Sequence, residues 1–110
     1  MIFNKEGSTT IITQEKATVV DFVKGIENKY DSLKNDNIVA NLFSLKDLSV
    51  SDINEFLRVS NKHKSNKRSF VIVTDQVSYD ESPKEITIVP TLIEALDLIE
   101  MEEIERDLDF

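Results

Sequence analysis

Two short runs, Ile38-Val39-Ala40-Asn41-Leu42-Phe43 and Phe70-Val71-Ile72-Val73, are apolar almost without interruption. A strand with one wet face alternates polar and apolar residues. An unbroken apolar run is what a strand needs when both faces of its sheet are covered. The two runs therefore point to buried, parallel strands with helices packed on the sheet, a layered α/β arrangement.

The flanking pattern supplies the helices. Val19, Val23, Ile26, Tyr30 and Leu33 recur at helical spacing behind a Thr18…Asp21 capping box, which predicts a helix from about Val19 to Lys34, ended by Asn35-Asp36-Asn37. Gly25 weakens that helix and leaves room for close packing. Ser49 caps a second helix, with Asp52 at its positive end and Ile53, Phe56, Leu57 and Ser60 facing inward; it should stop near Lys64. Ile2-Phe3 and Thr9 to Thr13 form a hairpin turning at Gly7. Thr74 to Lys84 is a polar loop, Ile86 to Val89 the last strand, and Thr91…Glu94 caps a closing helix whose inner face carries Leu92, Ala95, Leu96, Ile99, Glu103 and Ile104. The order is β-β-α-β-α-β-β-α: three helices on a single mixed sheet of about five strands, one domain over residues 1–110.

Composition narrows the function. There is no cysteine, so disulfides, thiolate zinc sites and thiol catalysis are excluded, and a reducing cytoplasm is the expected compartment. The first residues lack the pattern of a signal peptide, and no apolar stretch approaches a membrane span. With 21 acidic against 13 basic residues the net charge is -8, which disfavours nucleic acid. That charge is unevenly placed. Lys62, Lys64, Lys67 and Arg68 surround His63, and Glu100, Glu102, Glu103, Glu105, Asp107 and Asp109 crowd the end. Both runs read first as solvated surface. Acids at a helix carboxyl end oppose the macrodipole. Residues from about 100 to 110 should therefore either fray or dock on a basic partner, such as another copy's Lys62 to Arg68 cluster.

Two stretches carry a family resemblance. One is Ile38 to Phe43 with the loop and helix from Ser44 to Leu57; the other is Ile88-Val89-Pro90-Thr91-Leu92-Ile93-Glu94-Ala95-Leu96. Together with the element order they resemble the STAS domain of anti-sigma-factor antagonists and sulfate-transporter tails, in a degenerate and trimmed form. The family's Asp-Ser-Ser-Gly, laid without gaps, falls on Ser49-Val50-Ser51-Asp52, so its phosphate-accepting serine corresponds to Val50. Ser49 and Ser51 flank that position and are the candidate phosphorylation sites; capping and solvation are their simpler roles. Asn41 stands where the family has Asp. The segment 74–84 is too polar for the helix the family carries there. The resemblance implies a non-catalytic bacterial regulatory or adaptor domain that binds a protein partner through Ser49, Val50, Ser51, Asp52 and Glu55, with a homodimer compatible.

Catalytic groups are sparse. His63 is the lone histidine and reads as a surface residue among bases. No Cys or His pair suits zinc, no acidic loop suits calcium, and two glycines leave no phosphate cradle, so no cofactor or metal is expected. Most aromatics, Phe43 among them, occupy core positions. Two rival readings are a small-molecule or lipid site lined by Phe22, Ile26 and Phe56, and a small enzyme using acidic residues.

Overall fold

The computed structural model describes residues 1–15 and 18–108. At its centre is one five-stranded sheet whose strand order follows chain order. Strands β1 (Ile2–Glu6) and β2 (Thr9–Thr13) form the antiparallel hairpin, with Gly7 at φ 60° in the turn. Strands β3 (Asn37–Asn41), β4 (Phe70–Val73) and β5 (Thr87–Val89) add in parallel. The register sets Ile12, Ala40, Ile72 and Ile88 in one row and Ile11, Val39, Val71 and Thr87 in the next. Neighbouring rows face opposite sides of the sheet.

Every parallel connection from β2 to β5 steps the same way across the sheet. Right-handed connections that always step one way always cross the same face. Helices α1 (Val19–Asn28), α2 (Tyr30–Leu33), α3 (Val50–Asn54) and α4 (Leu57–Ser65) therefore share one side, packed on Ile12, Ile38, Ala40, Phe70 and Ile72. The β4–β5 connection crosses there too, as a loop with one 3-10 turn (Tyr79–Glu81), and it contributes Val77 and Ile86. Ile11, Val39, Val71 and Val73 face the other way, and α5 (Leu92–Leu108) covers them with Ala95 and Ile99.

The three expected helical regions are present, and two of them are interrupted. The first breaks at Lys29, whose N–H is shared between the carbonyls of Gly25 and Ile26. In the second, Glu55 and Phe56 bond three residues back, to Asp52 and Ile53. Inner residues Ile53, Phe56 and Val59 recur every third position and all face the core through this tightened turn. A Cβ at Gly25 would meet only the end of the flexible, exposed Met1 side chain, which can move aside, so packing does not require glycine there. Helix α4 ends in a Schellman arrangement, with Lys67 N–H on the Lys64 carbonyl and Arg68 N–H on the His63 carbonyl. Lys67 takes φ 62° at the position that glycine usually fills, a conformation costing roughly 1–2 kcal/mol.

His63 corrects the sequence reading. It is fully buried, on the inner face of α4 one turn beyond Val59 and Ser60. Its Nε2 lies 2.6 Å from the Asp36 carbonyl and so must donate to it; Nδ1 then accepts from the Tyr30 hydroxyl at 2.8 Å. Asn66 Nδ2 donates in turn to Tyr30 Oη at 2.8 Å. All these donors and acceptors are matched when the imidazole is neutral. Lys62 Nζ sits over the Tyr30 ring, 4.6 Å from its centroid.

Burial lowers the His63 pKa below its usual 6.5, and Arg68 adds to this; the Asp36 carbonyl and carboxylate oppose it without prevailing. The unfolded chain therefore takes up a proton below about pH 6.5 that the fold resists, so stability is full above that pH and declines as pH falls below it. Thermal unfolding should shift to lower temperature between pH 7 and pH 5.5. In His63→Gln, less stable throughout, that slope should be largely gone; an equal slope in both proteins would show that His63 does not titrate as described.

Candidate protein-binding surface

Strand β3 stops at Asn41, where the parallel ladder gives way to a loop. Leu42 N–H still reaches the Val73 carbonyl at 2.9 Å and its side chain fills the core, while Phe43 N–H turns back onto Asn41 Oδ1. Phe43 is therefore 55 % exposed rather than buried, which corrects its placement in the strand run. Leu45, Leu48 and Val50 pack partly on the core and hold the loop down, and Asp47 makes the reversal at φ 58°.

Helix α3 begins with a closed capping box. The Ser49 hydroxyl accepts from Asp52 N–H at 3.3 Å, and Asp52 Oδ2 accepts from Ser49 N–H at 3.0 Å. Of the five candidate contact residues, Ser49, Ser51 and Glu55 are exposed, whereas Val50 and Asp52 are half-buried. The fold brings them to one helix start, at the sheet end where the parallel strands finish. Tyr79, on the β4–β5 loop at this same end, is 62 % exposed. Ser78 and Glu81 close a second capping box there, and the two hydrogen bonds from Ser78 lower the Glu81 pKa. Phe43 was not marked as a surface residue in the sequence, whereas Tyr79 lies in the segment 74–84 read there as a polar loop. Only the end of the β3 ladder at Asn41 and the polar setting of Tyr79 hint at their exposure.

A different polar group closes the opposite end of the sheet. Asn37 Oδ1 accepts from Ser69 N–H at 3.0 Å and from Arg106 at 3.2 Å, and Arg106 also reaches Ser69 Oγ at 3.1 Å. Ser69 Oγ in turn donates to Glu102. Lys64 lines the same open cleft of about 530 Å³ and donates to the Glu85 carbonyl at 2.6 Å. Burial lowers the Lys64 pKa, and Glu102 and Glu85 partly restore it. Part of the basic run thus faces the chain's own acidic helix, a meeting the sequence pattern did not disclose.

Of the rival sites, the apolar trio is packed into the core. Phe22, Ile26 and Phe56 are fully buried in one cluster, with the Phe22 and Phe56 rings edge-to-face at 5.8 Å. Among the described residues no group of His, Asp or Glu is arranged to hold a metal ion, and no helix is long and apolar enough to cross a membrane.

No family model and no curated protein matches the sequence. Among solved structures, a serine-to-glutamate variant of RsbS from Moorella thermoacetica superposes with a TM-score of 0.68 at 11% identity, covering 96% of this chain and 97% of that one. RsbS is a STAS-domain anti-sigma-factor antagonist, and the chain described here has a STAS-like fold.

Because Ser49 holds the capping box and the Ser51 side chain is exposed, the two serines should differ in chemical denaturation. Ser49→Ala should cost about 1 kcal/mol. Ser51→Ala should stay within about 0.5 kcal/mol of the parent. Equal losses would show that the helix starts elsewhere.

Proposed function

We propose that this chain is a non-catalytic regulatory or adaptor domain of the cytoplasm, binding a protein partner through the start of α3. The observation that carries the reading is the grouping at one sheet end of an exposed helix start, Ser49 to Glu55, with the exposed Phe43 and Tyr79. Exposed aromatic side chains at the same sheet end as a capped helix start supply large contact area at low entropic cost, as protein interfaces use them. The likeness of fold to RsbS supports a protein-binding role by analogy.

Within this reading, Ser51, Glu55 and Phe43 contribute side chains to the contact, and Ser49 and Asp52 hold the helix start in shape. The family's switch serine corresponds to Val50, so the domain binds without a phosphate switch at that position. Several acids already have structural tasks. Asp36 accepts from Thr10 and pairs with Lys5 at 3.4 Å, and Asp52 and Glu81 close caps. These engagements leave them poorly suited as a catalytic pair.

Affinity capture from the native cell, run in parallel with the parent chain and with a Phe43→Ala/Glu55→Arg variant, tests the reading. A partner should co-purify with the parent and be lost from the variant, while both unfold at similar temperatures. Intact mass of the captured parent should show no phosphate. The same partner retained by the variant, or stoichiometric phosphate on Ser49 or Ser51, would contradict it.

A further inference from the structure

Helix α5 has two apolar stripes. The inner one, through Ala95 and Ile99, lies on the sheet. The outer one runs through Ile93, Met101, Ile104 and Leu108, whose spacings, bridged by Asp97, follow the three-to-four repeat of a single helix face. On a helical wheel that face points away from the sheet, and these four side chains are between 53 % and 79 % exposed, which corrects the placement of Ile104 on the inner face. Single exposed apolar residues need no explanation, but four aligned along more than four helical turns do.

Acids border the stripe on both sides, Glu94 and Glu105 along one edge and Glu100 and Asp107 along the other, with Asp97 within it. Three occupants can be weighed on that charge. A second copy laid stripe to stripe would set acid rows against acid rows, which disfavours pairing. Of a second copy's basic cluster, Lys64 already faces Glu102 of its own chain, and the exposed Lys62, Lys67 and Arg68 have no large exposed apolar side chain among them to meet the stripe. An anionic membrane surface would repel the acids. What remains is an apolar seam flanked by positive charge.

We propose that the outer face of α5 docks a basic amphipathic helix of a partner protein, with Met101, Ile104 and Leu108 entering its apolar seam and the flanking acids meeting its lysines or arginines. This face lies across the sheet from α3, so the domain holds two separate interaction surfaces. The inference is independent of the α3 surface and survives its failure.

The test uses the full chain and a synthetic helix-forming peptide of leucine and lysine with leucines at three-to-four spacing. A peptide of the same composition with scrambled order is the control. In amide NMR the patterned peptide should shift the resonances of α5 from Ile93 to Leu108 and leave α3 unmoved. Ile104→Ser combined with Leu108→Ser should weaken binding by about tenfold or more. Added salt should weaken it further. Equal binding of the scrambled peptide, shifts centred on α3, or unchanged affinity in the double variant would each overturn the proposal. So would self-association of the free chain abolished by the double variant, which would make a second copy the occupant.

Discussion

Direction of crossover is the constraint on which the rest of this structure depends. Because each parallel connection from β2 to β5 steps the same way, right-handedness sends α1 to α4 and the β4–β5 loop to one side. Strands β3 and β4 are apolar on both faces, so the other side must also be covered. Within the described residues α5 does this, through Ala95, Ile99 and the leucines beside them. A helix that is not a crossover is free to take the opposite face, and here it has to.

The two ends of the sheet have different characters. Where the parallel strands begin, polar groups tie elements together: His63 bonds the turn after α2, and Asn37 joins β3, β4 and α5 through Ser69 and Arg106. Half-buried hydrogen bonds of this kind are costly to leave unpaired, and they resist local opening. Where the strands finish, the chain instead leaves capped helix starts and exposed aromatics on loops. A rigid base beneath a variable rim is the arrangement that binding surfaces commonly use.

Much of this was legible in the sequence, for identifiable reasons. Unbroken apolar runs marked β3 and β4, and the cap residues Thr18 and Ser49 marked helix starts, because each is a local signal. The interruptions at Lys29 and at Glu55-Phe56 were not legible, since no proline or glycine marks either place in the sequence. His63 was misread for a similar reason. Its neighbours in sequence are basic, while its neighbours in space are Tyr30, Phe70 and a carbonyl. Its spacing from Phe56 and Val59 was the signal available. Phe43 failed in the opposite sense, as an apolar residue beyond the last rung of the ladder. The candidate contact residues could be named only through family likeness, and the fold accounts for why they share one helix start.

Helix α5 joins both themes, holding the sheet with one stripe and offering the other to solvent. Its low overall amphipathicity is the sum of two opposed apolar faces, and its terminal acids, unfavourable to the dipole, border the outer one. The most direct test of this account compares Ile99→Ala with Ile104→Ala in chemical denaturation of the free chain. Ile99→Ala should cost about 2–5 kcal/mol through a cavity under the sheet. Ile104→Ala should stay within about 0.5 kcal/mol of the parent. Comparable losses at the two positions would mean that the chain buries Ile104 itself, and would contradict a helix with one face bound and one face free.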